Sequence, residues 1–328
     1  MKIALIYFGM AAAGYIAAIP LKKYQNKFAW MWKFLTFVVF SLVFSMGYKI
    51  GSNQSVINDI GTIGIYSLIL AIAPLSATIF MLNVTRKIMG FDAYGNQVSK
   101  VGADISCTEK KREKSKDEPL IGRNTILYML AVIAGFAFGY VVVIGAELID
   151  FETGNKIAGT YITYALYVMV FLVGVDMGFD GSVFKVFRAT GIKVLAFPLV
   201  TAFASVAVVC IIGLFMPYNF TETLAIGGTL CWYSLAPNII MEAGYVAAGA
   251  VAFLSNFLRV IISLLIIPII ANKVGYIETV GMPMAASMDV CIATIENATN
   301  KQTAMYAFAS GAVCTISVPL IMPIIVGA

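Results

Sequence analysis

Residues 227–244 read GGTLCWYSLAPNIIMEAG, and they interrupt an apolar stretch that would otherwise cross a membrane as one helix. Gly227 and Gly228 permit close approach or unusual backbone angles, and Pro237 removes a backbone donor and breaks a helix. A second interrupted stretch, GMPMAASMDVCIATIENATN, occupies residues 281–300. Broken backbone at membrane depth survives only where protein or a water-filled cavity satisfies its polar groups. The two stretches therefore predict a fold in which broken helices line a site.

The composition around these stretches is that of a membrane protein. The 328 residues are 60% apolar and 12% charged, with a mean hydropathy of +0.90, whereas soluble domains are about 45–50% apolar and about 25% charged. This balance excludes a soluble enzyme. Eight apolar runs approach the roughly 20 residues that a membrane helix needs. They lie at residues 3–20, 28–47, 62–84, 125–147, 160–179, 193–217, 250–271 and 304–326.

These runs, with the interrupted stretches near residues 222–247 and 279–300, predict an all-α polytopic membrane protein. We expect about eight transmembrane helices and two broken re-entrant hairpins. If each interrupted stretch dips in and returns, the lysines that follow it stay on the cytoplasmic side, where basic residues prefer to lie.

The net charge of +5 orients the chain rather than indicating nucleic-acid binding. Basic residues concentrate in the loops at residues 21–29, 85–124 and 180–193, which the positive-inside rule places in the cytoplasm. The N-terminus and the C-terminus then both lie outside, and we expect a multi-pass protein of a bacterial inner membrane. Lys33 and Lys49, near helix ends, are expected to extend their ammonium groups to water.

The chain resembles itself at two places. The segment around Phe44 (FSMGYKIG) resembles the segment around Phe171 (FLVGVDMG), and residues 252–270 match residues 307–325 without gaps. In the predicted topology the paired helices run in opposite directions, which is the pattern of inverted repeats in secondary transporters. The predicted organisation is a first three-helix repeat at 1–84, a charged cytoplasmic loop at 85–124, a second, inverted three-helix repeat at 125–217, and a transport core at 218–328.

Polar and ionisable residues inside a membrane are costly, so each is a functional candidate. Arg259 shares a helical face with Asn256, and because it is always charged we expect it to pair with Glu242 or Asp289. That pair would be structural, or Arg259 would receive a substrate carboxylate. Asp289 is the strongest candidate, and its alternative role is to cap a helix. The predicted substrate- or ion-binding residues are Asp289, Glu242, Arg259, Ser234, Asn238, Ser287, Asn256 and Tyr233.

The chemistry open to this site is limited by what the chain lacks. There is no histidine, and none of the five cysteines forms a CxxC pair, so we predict no metal site and no cofactor. A coupling proton would then be carried by Asp289 or Glu242, although sodium coupling stays open. The acidic balance of the site suits a cationic or zwitterionic substrate. The expected partners are a small amino acid and the lipid bilayer, with no nucleic acid, and no oligomeric state is predicted.

Several of these residues resemble the lysine exporter (LysO) family. The resemblance rests on Trp-Tyr-Ser-Leu at 232–235 with Glu242, on the stretch 252–259, and on Ser-Met-Asp at 287–289; the Phe-Leu-Val-Gly run at 171–174 also fits. It implies an inner-membrane exporter of L-lysine and toxic lysine analogues, coupled to an inward proton flux. The protein would then be a transporter and not an enzyme.

The chain departs from the family at two positions that carry acids there, which are Asn256 and Val260 here. Their loss argues against proton coupling through those positions and leaves Glu242 and Asp289. The alternative is a sodium-coupled carrier of an organic anion or another amino acid, in which Arg259 binds the substrate carboxylate. An uncoupled channel or a scaffold is a third possibility that inverted repeats disfavour.

Overall fold

The computed structural model describes residues 2–21, 29–95, 123–146, 148–180 and 192–327. Helices dominate these ranges, and no strand forms in them. The helices of the first two thirds are α1 (Lys2–Leu21), α2 (Ala29–Gly51), α3 (Gln54–Asn58), α4 (Ile60–Ile88), α5 (Arg123–Gly139, extended by a π-helical turn over Tyr140–Gly145), α6 (Phe151–Asp180) and α7 (Ala196–Gly213). The predicted all-α polytopic class is confirmed.

The last third contains the two interrupted stretches and two long helices. Its helices are α8 (Phe220–Gly228), α9 (Ala236–Glu242), α10 (Val246–Lys273), α11 (Tyr276–Gly281), a 3-10 turn (Met284–Ser287), α12 (Ile292–Ala298) and α13 (Lys301–Ile325). We call residues 220–242 the first broken segment and residues 276–298 the second broken segment. The helix breaks predicted from glycine and proline are therefore present in both.

Six described helices are long and apolar enough to cross a membrane, and two shorter apolar helices accompany them. The six spans are Lys33–Gly51, Ile60–Ile88, Phe151–Val175, Ala196–Gly213, Val246–Lys273 and Lys301–Ile325, and the shorter pair is Ala12–Leu21 and Leu130–Gly145. These eight correspond in order to the eight predicted runs. Eight membrane crossings, like the inverted repeats, stay a prediction.

Helices α1 and α6, and likewise α2 and α5, pack through glycine contacts that allow backbones to approach closely. A Cβ atom on Gly47 of α2 would overlap the carbonyl oxygen of Val132 in α5, and one on Gly135 of α5 would overlap that of Phe44. Likewise, a Cβ atom on Gly14 of α1 would overlap the carbonyl oxygen of Phe171 in α6. The first helix of each predicted repeat thus packs on the second helix of the other, an arrangement that an inverted pair would produce.

Each broken segment begins and ends at one end of α4. The first starts where the rings of Tyr218 and Tyr66 lie 6.0 Å apart, near the beginning of α4. It ends at Glu242, which pairs with Lys49 in the last turn of α2, and α2 is joined to the beginning of α4 by the short α3. The second starts and ends near the other end of α4. There Glu278 pairs with Arg86, and Asn300 donates to the carbonyl oxygen of Tyr94.

Two charged residues lie elsewhere than the sequence indicates. Arg86, assigned to the predicted loop at 85–124, lies in the last turn of α4, where it is buried. Residues 96–122 of that loop lie outside the described residues. Lys49, expected to extend toward water, is 5% exposed because its ammonium group pairs with a carboxylate inside the protein. In both cases an acid distant in sequence compensates the charge.

Candidate functional site

The two broken segments meet at their breaks. Leu230 and Cys231 in the first segment have φ angles of +47° and +63°, and Met284 in the second has +48°. Residues other than glycine rarely adopt this left-handed region. Each of these three residues therefore carries local backbone strain that the surrounding structure must stabilise. The backbone N–H of Ala285 donates to the carbonyl oxygen of Leu230 at 3.1 Å. This bond joins the breaks directly.

Helix α10 holds both breaks with two residues from one face. The side-chain amide of Asn256 donates to Thr229 Oγ1 at 2.7 Å, and Arg259 Nε donates to the carbonyl oxygen of Met282 at 2.9 Å. Thr229 follows the last residue of α8, and Met282 follows the last residue of α11. Arg259 therefore places a positive charge at a helix C-terminus, where the helix dipole is negative.

The expected ion pair of Arg259 does not form. Its other two nitrogens donate to Ser205 Oγ at 2.9 Å and Thr78 Oγ1 at 3.2 Å, so all its partners are neutral oxygens. Neither Glu242 nor Asp289 is within ion-pair distance. Arg259 is 2% exposed, and each of its three guanidinium nitrogens donates one hydrogen bond. The prediction of an acidic partner is wrong, and the arrangement matches a brace between helices better than a receptor for a carboxylate.

The predicted neutral residues lie close to the breaks. Asn238 donates its amide to the carbonyl oxygen of Ser234 at 2.8 Å, while its buried Oδ1 finds no donor among the described residues. Ser287 Oγ is within hydrogen-bond distance of the carbonyl oxygens of Met284 and Ala307, at 2.6 and 2.7 Å. Ser287 is thus committed to its own turn and to α13.

Asp289 is one of two exposed acids in the second broken segment. Ser287 and Cys291 on either side of it are 0% exposed, yet Asp289 itself is exposed. Ala293, Glu296 and Asn297, which follow at the spacing of one helical face, are exposed too. Because this face is mostly polar, it suits water rather than lipid. It leads from Asp289 toward the end of the segment near Asn300.

The carboxylate of Asp289 has few partners. It accepts a hydrogen bond from the backbone N–H of Val290, and in the described part of the chain it pairs with no lysine or arginine. Tyr128, Tyr233 and Cys291 lie within electrostatic range of this carboxylate. Asp289 does not cap α12, because Cys291 holds the N-cap position without a side-chain cap. The helix-cap alternative is therefore wrong.

An aromatic wall lies beside this acid. The rings of Tyr233 and Tyr128 have centroids 6.4 Å apart, and Tyr233 meets Phe257 edge-on at 5.8 Å. Tyr233 is 8% exposed, so it is a core residue of the site and not an anchor at the membrane surface. Tyr128 was missed by sequence analysis, since a lone tyrosine in an apolar run carries no signal of its own.

Glu242 lies apart from Asp289, in a different setting. Its Oε1 is 2.6 Å from Lys49 Nζ, and its Oε2 accepts a hydrogen bond from Thr163 Oγ1 at 3.2 Å. The side chain is 25% exposed and faces a groove at the end of the first broken segment. The predicted site residues therefore do not form one cluster. They divide into the crossing of the breaks, the exposed Asp289, and the paired Glu242.

Sequence analysis also missed a buried ion pair in the second broken segment. Glu278 Oε1 accepts from Arg86 Nε at 2.7 Å and from the Asn83 amide at 2.8 Å. Glu278 is 0% exposed. An acid just before an interrupted apolar run was the available signal, but its partner is in α4, 192 residues away in sequence.

The fold and the site together define a polytopic α-helical membrane protein whose two broken segments cross at one point. The sequence profile of the family described as "Lysine exporter LysO" matches residues 129–326. The chain belongs to this family of membrane transport proteins. A Haemophilus influenzae protein described as "Putative lysine exporter" is 25% identical over 197 residues, which cover 58% of this chain and 93% of that protein. No solved structure matches the chain.

The matched region contains both broken segments and both long helices that follow them. It excludes Lys49 and Arg86, the cations that pair with Glu242 and Glu278. Amino-acid export is thus supported by a region that carries the acids, while the cations of both ion pairs come from the preceding helices.

Proposed function

We propose that this protein exports a cationic amino acid, with L-lysine as the first substrate, in exchange for protons. The observation that carries the proposal is Asp289, an exposed acid between buried neighbours that no lysine or arginine of the described residues neutralises. Ionisable residues within membrane-embedded segments are rare, and they often mark substrate or ion pathways. A substrate ammonium group would supply the positive charge that pairs with this carboxylate.

The polar face of α12 provides the approach to this acid. Asp289, Glu296 and Asn297 are exposed along it, and the predicted topology puts their end of the protein in the cytoplasm. A cationic substrate would enter there and meet Asp289 beside the rings of Tyr128 and Tyr233. Aromatic faces attract cations, and they also cover the aliphatic part of a lysine side chain.

The carboxylate of Asp289 would also couple export to protons. The chain has no histidine to carry a proton, so Asp289 would bind either a proton or the substrate ammonium, but not both together. That mutual exclusion is what antiport requires. The two positions where the family carries acids do not replace it, because Asn256 is bonded to Thr229 and Val260 is 1% exposed within the core.

The breaks supply the means of exposing the site to each side in turn. The broken segments enter from opposite ends of α4 and touch through Leu230 and Ala285. Discontinuous helices that meet between inverted repeats are typical of transporters with alternating access. We propose that the crossing moves with the substrate while Arg259 and Asn256 keep the two breaks attached to α10.

Flux through purified protein tests this proposal. Liposomes with an acidic interior should accumulate radiolabelled L-lysine, and collapse of the proton gradient should stop the accumulation. Replacement of Asp289 by Asn should reduce the rate by about a hundredfold or more, a typical loss for a positioned proton carrier. Glu152→Gln, which changes an exposed acid outside the site, is the matched control. Wild-type flux in Asp289→Asn would remove this residue from the mechanism.

Asn238 supports a second candidate, a sodium-coupled carrier. Its buried Oδ1 has no donor in the described residues, and a carbonyl oxygen beside broken backbone is a typical ligand for sodium in transporters. Flux driven by a sodium gradient at equal pH on both sides would favour this candidate. Uptake of an organic anion with no lysine flux would replace the proposal.

A further inference from the structure

A groove of about 520 Å³ lies at the end of the first broken segment. Its lining is mostly polar and includes both signs of charge. The polar side chains are Lys49, Asn53, Asn155, Lys156, Thr160, Thr163 and Glu242. By the charge pattern of the loops, this end of the protein faces the outside. The groove is distinct from Asp289, whose exposed face leads to the opposite end.

Glu242 sits in this groove as half of a formed cation site. One carboxylate oxygen is 2.6 Å from Lys49 Nζ, and the other accepts from Thr163 at 3.2 Å. Gly159 leaves room for the carboxylate, since a Cβ atom there would lie 3.2 Å from Oε2. Lys49 is 5% exposed, so the ammonium has left water to bind this acid. Such a pair is kept only if its geometry is good.

The bound cation has the same chemistry as the side chain of the proposed substrate. Lys49 presents a primary ammonium on four methylenes, and so does free lysine. Lys156, exposed on the same groove, would face the carboxylate that free lysine also carries. The groove therefore matches a whole cationic amino acid, with the protein's own lysine in the place of the side-chain ammonium.

We propose that this groove binds a cationic amino acid at the outer end of the transport route, and that Lys49 competes with it for Glu242. This inference rests on the proposed function. External lysine must displace a tethered ammonium whose effective concentration is in the millimolar range or above. Binding from outside is then weak, while outgoing lysine is released as Lys49 returns to Glu242. The competition would favour export over uptake.

Inhibition from the outside tests the competition. Liposomes with outward-oriented protein are loaded with radiolabelled lysine, and unlabelled lysine is added externally. We expect half-inhibition of efflux at millimolar concentration in the wild type, and at a concentration at least about tenfold lower in Lys49→Gln. Lys49→Arg keeps the tethered cation and should resemble the wild type. In Lys49→Gln/Glu242→Gln the gain should disappear because the acid is gone.

A second measurement uses the unmodified protein and does not depend on a variant that folds. A membrane-impermeant amine reagent is applied to intact cells, with and without external lysine, and labelled residues are quantified by mass spectrometry. Displacement of Lys49 should raise its labelling relative to a sample that contains the same concentration of free amine as norleucine, which consumes the reagent but has no side-chain ammonium to displace Lys49.

The outcomes separate the two proposals. Equal inhibition of wild type and Lys49→Gln, in variants that both export lysine, would overturn the competition and leave the proposed function standing. An unchanged labelling ratio at saturating lysine would do the same. Absence of lysine flux in the wild type would overturn the proposed function, and the competition with it.

Discussion

Glu242 in the first broken segment lies 2.6 Å from Lys49, whereas Asp289 in the second is exposed and pairs with no described lysine or arginine. Both segments are short helices around a left-handed break, and both are held by α10. The breaks alone therefore do not decide what each acid does. The difference comes from the helices around them, which bring a cation to one acid and a polar, solvent-accessible face to the other.

The anchors of the two segments differ in the same way. Glu278 and Arg86 attach the second segment and are 0% and 8% exposed at their side chains, while Glu242 in the first segment is 25% exposed. Charges removed from water depend on each other far more than charges that keep part of their hydration. The second segment is thus fixed near its start by two buried side chains and is open at Asp289, whereas the first is fixed at its end by a pair whose carboxylate is partly exposed.

Replacing one acid at a time is the strongest test of whether the two ion pairs contribute differently to stability. Glu278→Gln leaves Arg86 buried without a counter-charge, so the free energy of unfolding should fall by about 3–5 kcal/mol. Glu242→Gln should cost less, about 1–2 kcal/mol, because Glu242 is 25% exposed and Lys49 lines a groove into which its freed ammonium can turn. Titration with SDS in mixed micelles measures both. Equal losses would show that burial of the two pairs does not distinguish the anchors.

Substitution of Arg259 tests whether the second break depends on the hydrogen bonds that this side chain donates. Arg259→Met keeps an unbranched apolar stem but leaves the Met282 carbonyl oxygen and the hydroxyls of Ser205 and Thr78 without their donor. Unsatisfied buried groups cost about 1–3 kcal/mol each, and partial relaxation should bring the total to about 2–3 kcal/mol. Denaturation in mixed micelles measures the loss.

Arg259→Lys is the control for this change. It retains the charge but cannot donate to three separate oxygens in the planar geometry of a guanidinium. We expect an intermediate loss of stability. A lysine variant as stable as the wild type would mean that charge at the C-terminus of α11, and not the set of hydrogen bonds, holds the break.

The first break could be predicted from Pro237, which lies at the start of α9, but its left-handed angles fall on Leu230 and Cys231 and not on Gly227 and Gly228, which end α8. The partners of Arg259 could not be predicted, since two of them are hydroxyls on α4 and α7 and the third is a backbone carbonyl with no sequence signature. An isolated charge in a sequence indicates that a partner exists, but only packing decides which one.

The same limit explains why the burial of Lys49 was not predicted. Lys49 lies at the end of a helix, where hydration is the ordinary expectation, and its acid is 193 residues away. Asp289 was predictable because it is an acid in an apolar run near a break, and that property is local. The exposure that makes it a candidate for substrate binding depends on α12 and its polar face, which became evident only in the folded chain.

Substitution of Asn256, which is bonded to the first break, should have the smallest effect on stability. Asn256→Ala removes a 2.7 Å hydrogen bond to Thr229, whose hydroxyl still donates to the carbonyl oxygen of Ile226. Since only one neutral bond is lost, we expect a decrease of about 1 kcal/mol in the free energy of unfolding, with transport reduced less than in Arg259→Met. Asn256→Asp is the matched variant, because it introduces the acid that the family resemblance leads us to expect at this position. If Asn256→Asp were as stable as the wild type and raised proton-coupled flux, the first break could also take part in coupling. The roles of the two segments would then differ less than their present contacts indicate.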